Sequence, residues 1–421
     1  MRNPDSPRSL RIRLQRSLLP AALVLPMLLI AFALTSCSHG DAKADAESLL
    51  STVPADAPFV AVADMEEILS EDGARGLLEA FPEYKSLVND DSGLRLTAMT
   101  FFLYEGAPYI VAKVDDAEKF RAFVAREKRR EWKSDGKLFT LSNFAQQDDR
   151  LWICPDSTRT VAAQRFASLP RSEGFVDNKS AETLADCSDD LKWLGDIDAL
   201  IDIYATGFGQ RASTRMMLGM VFDEARYISG SGDFDKNTLK LKSDILTSAM
   251  KPAKCHLKFS EIDTDLVASI GGNANIAVAL SLPHKLVEQL LKSTASLGGG
   301  MPALYADILS PIDGTVAAAS PSDKPSADNY RGVIATRGNQ AKLLLALQAA
   351  GATVESTEQL LRFSRGDYGH GAFALTDIAA KMKDSYIAAV ARKSEGAHNY
   401  DIVFRVKGHD GSLRFELEIS E

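Results

Sequence analysis

The side chains able to hold a metal or move a proton are few and far apart. His39, His256, His284, His370, His398 and His409 include no His-x-x-x-His pair, and the four cysteines (Cys37, Cys154, Cys187 and Cys255) include no Cys-x-x-Cys pair. Those spacings put two ligands on one side of a metal, so zinc chemistry has no local signature here. Asp233, Asp235, Asn237 and Asp244 are spaced like the start of a calcium loop. Such a loop needs glycine at its sixth position and a bidentate carboxylate at its twelfth. Thr238 and the short Asp244 stand there instead, and the stretch reads as a hairpin turn. Gly298-Gly299-Gly300 runs into Met301-Pro302, not into the Lys-Ser or Lys-Thr of a phosphate loop, and no Gly-x-Ser-x-Gly elbow appears. Gly366, Asp367, Gly369 and His370 form a candidate ligand loop, since closely spaced glycines expose backbone amides. No cofactor and no metal are expected.

One segment does carry a legible chemistry. Arg8, Arg11, Arg13 and Arg16 precede an uncharged apolar run from Leu18 to Ala33, broken by Pro20 and Pro26. This is the architecture of a secretory signal, too short and too interrupted for a spanning helix of about 20 apolar residues. Leu34-Thr35-Ser36-Cys37 follows and resembles the lipobox of bacterial lipoproteins. That resemblance implies cleavage before Cys37 and a diacylglycerol on its thiol, with a palmitate on the new amino terminus. Residues 1–36 are then a lipoprotein signal peptide. Residues 37–47 lack β-branched and aromatic side chains and read as a flexible lipidated tether. Ser38 directly after the cysteine resembles sorting to the outer membrane, facing either the periplasm or the cell surface.

The rest of the chain must be the folded body. Of 421 residues, 45% are hydrophobic and 25% charged, which excludes a disordered or polytopic membrane chain. The formal charge of -9 becomes more negative still once the basic leader is removed. An acidic body does not condense on phosphate backbones, so nucleic acid is excluded as the main partner. Arg126, Lys128, Arg129, Arg130 and Lys133 form a basic cluster, read as the cationic end of a helix beginning near Asp115. Its alternative reading is a contact with anionic lipid. Cys154 reads as a core residue, and a Cys187–Cys255 bridge is left open.

Two stretches of the body resemble each other. Val53 to Ala63 and Ile270 to Leu280 both pass from a turn into an apolar strand and then a helix-compatible segment. Tyr109–Val114 leads to a helix bearing Phe120, Phe123 and Val124, as Gly332–Thr336 leads to a helix from Gln340 to Ala350. Trp193, Leu194, Ile197, Leu200 and Ile201 stand at helical spacing within Asp189–Tyr204. Two strands follow it, Ala225–Phe234 and Leu239–Ile245, and the chain ends on a hairpin turning at His409-Asp410-Gly411. The expected class is α+β: mostly antiparallel sheets with packed helices, two related halves joined by a central helix and β-hairpin segment. The halves are residues 48–187 and 266–421, and the central segment is residues 188–265.

The lipobox, the Val53-Pro54-Ala55-Asp56-Ala57 opening and the Gly232-Asp233-Phe234-Asp235-Lys236-Asn237-Thr238-Leu239 hairpin together resemble one family. It is a Bacteroidota set of predicted lipoproteins carrying a domain of unknown function. The resemblance implies a compartment and a fold, and no catalytic residues. Asp156-Ser157-Thr158 resembles the short O-glycosylation site of the same phylum. The function expected is non-catalytic binding or scaffolding at the outer membrane, with envelope proteins or glycans as partners and the membrane engaged through Cys37. The alternative is an envelope hydrolase whose catalytic residues are dispersed in sequence.

Overall fold

The computed structural model describes residues 42–65, 92–170, 173–175, 179–185, 189–205, 207–235, 238–296, 303–322, 328–366, 371–395 and 398–420. Within them the protein is a mixed α/β chain of mostly antiparallel sheet with eleven helices. None of the helices among the described residues is long and apolar enough to cross a membrane. Two compact units divide the chain, one from residues 1–212 and 227–237, the other from 213–226 and 238–421.

The first unit contains α1 (Ala42–Leu50), β1 (Phe59–Asp64), β2 (Leu94–Tyr104), β3 (Ala107–Val114), α2 (Ala117–Lys128), β4 (Lys133–Asp135), β5 (Leu138–Leu141), β6 (Phe144–Gln147) and β7 (Arg150–Ile153). It continues through α3 (Thr160–Ala167), α4 (Lys179–Ala185), β8 (Leu191–Asp196) and α5 (Ile197–Tyr204); α6 (Phe208–Val221) is divided between the units, and β9 (Tyr227–Asp235) belongs to the first. Its strands lie in the order β4-β5-β6-β7-β3-β2-β1-β8-β9, each antiparallel to its neighbours. β1 is apolar at nearly every position, and this suits a central strand buried on both faces. Val60 and Val62 face the cluster around Phe102, Tyr109, Trp152 and Phe166, while Ala61 and Ala63 are equally buried on the other side. The aromatic rings interlock, with Phe166 edge-on to both Phe102 and Tyr109 at 5.1 Å. As the sequence implies, α2 starts where Asp116 accepts a hydrogen bond from the Lys119 amide at 2.9 Å, and it buries Phe120, Phe123 and Val124.

Two expectations are corrected here. The tether does not extend to residue 47, because α1 begins at Ala42 and buries Asp45, Ala46, Leu49 and Leu50. Asp45 is the reason α1 stays docked: it accepts a hydrogen bond from Thr97, lies 2.7 Å from Lys113 Nζ and 3.5 Å from Arg95 Nη2. Burial raises the Asp45 pKa, but the hydrogen bonds from Lys113 and Thr97 and the charges of Lys113 and Arg95 outweigh it. The carboxyl is held below its ordinary value. The helix expected over Asp189–Tyr204 is the second correction, since its first part is β8, paired to β1 on one side and β9 on the other. The strand ends where Asp196 caps α5 by accepting from the Ala199 amide at 3.1 Å.

The second unit contains β10 (Thr238–Leu246), α7 (Thr264–Ala268), β11 (Asn273–Ala274), β12 (Ile276–Leu282), α8 (His284–Ser296), α9 (Ala303–Leu309), β13 (Ile312–Ser320) and β14 (Tyr330–Thr336). After these come α10 (Ala341–Ala349), β15 (Thr353–Ser356), β16 (Leu360–Arg365), β17 (Phe373–Ala374), α11 (Leu375–Lys381), β18 (Ile387–Glu395), β19 (His398–His409) and β20 (Ser412–Ser420). Its long strands run β15-β16-β14-β13-β12-β18-β19-β20-β10, again antiparallel throughout, with β11 paired to β17. One sheet face, through Ala277, Ala279, Ala317, Val333 and Val390, packs on Val267 of α7 and Ile378 and Ala379 of α11. The stretch read as a central segment, residues 188–265, is therefore not a body of its own. β8 and β9 complete the first unit, and β10 completes the second.

Candidate functional site

The other face of the second sheet is apolar and only partly covered. Strand register places Ala318, Val278, Ala389, Phe404, Leu417 and Leu241 opposite one another across β13, β12, β18, β19, β20 and β10. Each of them is partly or well exposed, and Val278 reaches 45%. A flanking row on the same face contains Ile276, Ala391, Ile402 and Ile419, all partly exposed. Towards β13, β14 and β16 this face is closed by the helices: Val287 of α8, Ile308 of α9 and Leu343 of α10 cluster with Val316, Ile334 and Leu361. What remains open is a trough beside that helical cover. Its floor is built of alanines and its rim of Phe404 and Leu417.

On the reverse face β12, β13 and β18 pack on α7 and α11, whereas β19, β20 and β10 are charged. Arg405 lies 3.3 Å from Glu416 and 2.9 Å from Glu418, and Lys407 lies 3.1 Å from Glu416. Arg414 grips Asp244 through two hydrogen bonds of 3.0 and 2.7 Å. Such cross-strand ion pairs contribute roughly 0.2–1 kcal/mol each and hold the register that keeps charge on one face and hydrocarbon on the other. A second clamp ties α11 to the sheet: Asp401 accepts from Arg392 Nε at 2.7 Å and from Lys381 Nζ, at the end of α11, at 3.2 Å. The result is a contiguous, partly exposed apolar face on one side of the sheet. Met216, Met217 and Met250 add further exposed apolar surface to the second unit.

The residues singled out from sequence are placed as follows. Leu34, Thr35, Ser36 and Cys37 lie outside the described residues, as do Asp367, Gly369 and His370 of the glycine loop. Gly366 is described at the end of β16 with φ +75°, where a Cβ would stand 2.1 Å from the Asp328 carbonyl oxygen. Arg365 beside it pairs with Asp328 at 3.0 Å. Cys154 is a buried thiol pushed up to about 12, by burial first and then by the charge of Asp156. Cys255 is a half-buried free thiol, also raised by burial; Cys187 lies outside the described residues. Of the histidines, His284 sits 3.4 Å from Glu288 and His409 3.6 Å from Asp410, while His256 is exposed. Among the described residues no three His, Cys, Asp or Glu side chains gather as a metal site.

Asp233 and Asp235 lie on β9, and Asp244 of β10 is engaged by Arg414 of β20, so these calcium-like positions are strand residues. Asp156 folds back to accept from the Thr158 amide and hydroxyl, making the exposed turn before α3. Sequence reasoning did not name the trough. Its trace was the alternation of Ile402, Phe404 and Val406 with Asp401 and Arg405, and of Phe415, Leu417 and Ile419 with Glu416 and Glu418. No family model matches this chain, and neither any curated protein nor any solved structure does.

Proposed function

We propose that this protein is an outer-membrane lipoprotein, lipidated on Cys37 after cleavage behind Leu34-Thr35-Ser36, that binds an apolar ligand or partner and catalyses no reaction. The half-exposed apolar trough of the second unit is the observation that carries this reading. A sheet face that only bounded solvent would alternate to polar residues there, as the reverse face of β19 and β20 does. The resemblance to the Bacteroidota lipoprotein family and the lipobox supply the compartment, and α1, folded from residue 42 onward, leaves a short link between Cys37 and the body.

The two units are read as related halves. The order β7-β3-β2-β1-β8-β9 in one and β16-β14-β13-β12-β18-β19 in the other follow the same connections. β2 and β13 each carry a register shift, between Arg95 and Met99 and between Ile312 and Val316. On this reading one half kept both sheet faces closed and the other opened one for binding.

The test is the affinity of the full chain for a fluorescent fatty-acid probe, compared with Val278→Asp. Because Val278 is 45% exposed, the charge can be placed without breaking the core. The expected result is a loss of affinity of at least about tenfold, or ~1.4 kcal/mol, at an unchanged unfolding midpoint. Equal affinity of the two proteins would overturn the reading.

A further inference from the structure

A second site lies in the first unit, below α1, and it is polar where the trough is apolar. Ala44, Glu47 and Ser48 fall on one stripe of α1 and, with Ser51 just past its end, Arg150, Phe166 and Leu169, line a pocket of about 380 Å³. Arg150 is held weakly. Its Nη2 donates to Ser48 Oγ at 3.3 Å, and its Nε, 4.0 Å from the Asp149 carboxylate, is buried without a hydrogen-bond partner. A buried donor left unpaired costs about 1–3 kcal/mol, so the guanidinium charge is only partly satisfied by its neighbours. Across the same pocket Glu47 is exposed and offers a carboxylate, while Phe166 and Leu169 supply an apolar wall. Cation, carboxylate and hydrocarbon in one pocket match a zwitterion attached to an apolar tail.

Position says which zwitterion meets it. Ala44 is seven residues beyond Cys37, a reach of at most about 25 Å of extended chain, so an anchor on Cys37 keeps the pocket near the headgroup layer. We propose that this pocket takes the phosphoethanolamine headgroup of a membrane lipid, with the phosphate on Arg150 and the ammonium on Glu47. The placement at the membrane rests on the lipidation of Cys37; the recognition chemistry does not.

The experiment is native mass spectrometry of the full protein in neutral detergent, titrated with phosphatidylethanolamine, phosphatidylcholine and phosphatidylglycerol of identical acyl chains. The wild type should retain phosphatidylethanolamine at least about fivefold better than either competitor, ~1 kcal/mol. Arg150→Ala should lower retention of all three lipids. Glu47→Gln, at an exposed position that leaves the fold intact, should erase the preference over both competitors, because Glu47 is the group that meets the ammonium. Free phosphoethanolamine in excess should displace the lipid, showing that the headgroup is what is recognised. Equal retention of the three lipids by the wild type, a preference that survives both substitutions, or adducts that resist free phosphoethanolamine would each overturn the proposal. The same spectra weigh the mature chain. A mass without diacylglycerol would refute the anchor and leave the pocket result standing.

Discussion

Ala61 and Val278 each sit in the middle of a central strand with a partner on either side, yet one is 1% exposed and the other 45%. The difference lies in what surrounds them. Ala61 pairs with Phe101 and Trp193, two large and themselves buried rings, whereas Val278 pairs with Ala318 and Ala389. Large aromatic side chains bury 150–250 Å² each and seal a sheet face, while a floor of alanines cannot. Both units order their strands in the same antiparallel pattern, and side-chain size on one face separates a closed face from a half-exposed one.

That contrast sets the scale of mutational effects. The largest belongs to the closed unit: Phe102→Ala, a fully buried ring among Tyr109 and Phe166, should cost about 3–5 kcal/mol. Urea unfolding followed by tryptophan fluorescence reads it directly, since Trp132, Trp152 and Trp193 all lie in the first unit. A loss below about 1 kcal/mol would mean the closed faces are loosely packed.

Next comes the Asp45 clamp. Asp45→Ala leaves Lys113 and Arg95 without their carboxylate. Both are partly exposed, so the cost should be about 2–3 kcal/mol, below the 3–5 of a fully buried pair. The second unit has its counterpart in Asp401, whose pKa burial raises but the hydrogen bonds and charges of Arg392 and Lys381 hold below the ordinary value. A carboxyl lowered in the folded state gives stability that is present above its unfolded pKa and lost as pH falls through the folded one. Stability should therefore be level from neutral pH down to about 5 and fall below about 4, and Asp45→Asn should flatten part of that fall. An acid titration of the urea midpoint checks the sign.

Gly332→Ala follows at about 1–3 kcal/mol, because a Cβ there would lie 2.2 Å from the Phe363 ring and 2.5 Å from the Ala317 carbonyl oxygen. A circular-dichroism melt detects it, and an unchanged melt would show that both Phe363 and the β13 backbone can give way. Val278→Ala should change stability by no more than about 1 kcal/mol, since nearly half of the residue is already exposed. A large loss there would mean the trough is core after all, and the contrast between the units would fail.

How far these features were legible in sequence depended on periodicity. The final hairpin was readable because Phe415, Leu417 and Ile419 alternate with Arg414, Glu416 and Glu418, and its turn falls at Asp410 and Gly411, which adopt φ of 49° and 77°. α1 was missed because the polar, alanine-rich run Ala42–Glu47 reads as a linker; only Leu49 and Leu50 and the distant Lys113 and Arg95 make it a docked helix. β8 was misread because Trp193, Leu194 and Ile197 fit a helical period across what is a strand-to-helix boundary at Asp196. The trough was hidden for a different reason. Ile276 to Leu280 is apolar at every position, as Phe59 to Ala63 of β1 is, and such a run cannot say whether one face is open. Of the candidate loop, only Gly366 could be weighed against its surroundings.

The most direct measurement places a photo-crosslinking amino acid at position 278 of the full chain in intact cells, with position 240 on the charged face of β10 as control. The account predicts a discrete adduct from position 278 that is absent from position 240. A lipid adduct would make the protein a carrier, and a single protein adduct would make it a scaffold. No adduct from position 278, or the same products from both positions, would contradict the claim that the open sheet face is where this protein binds.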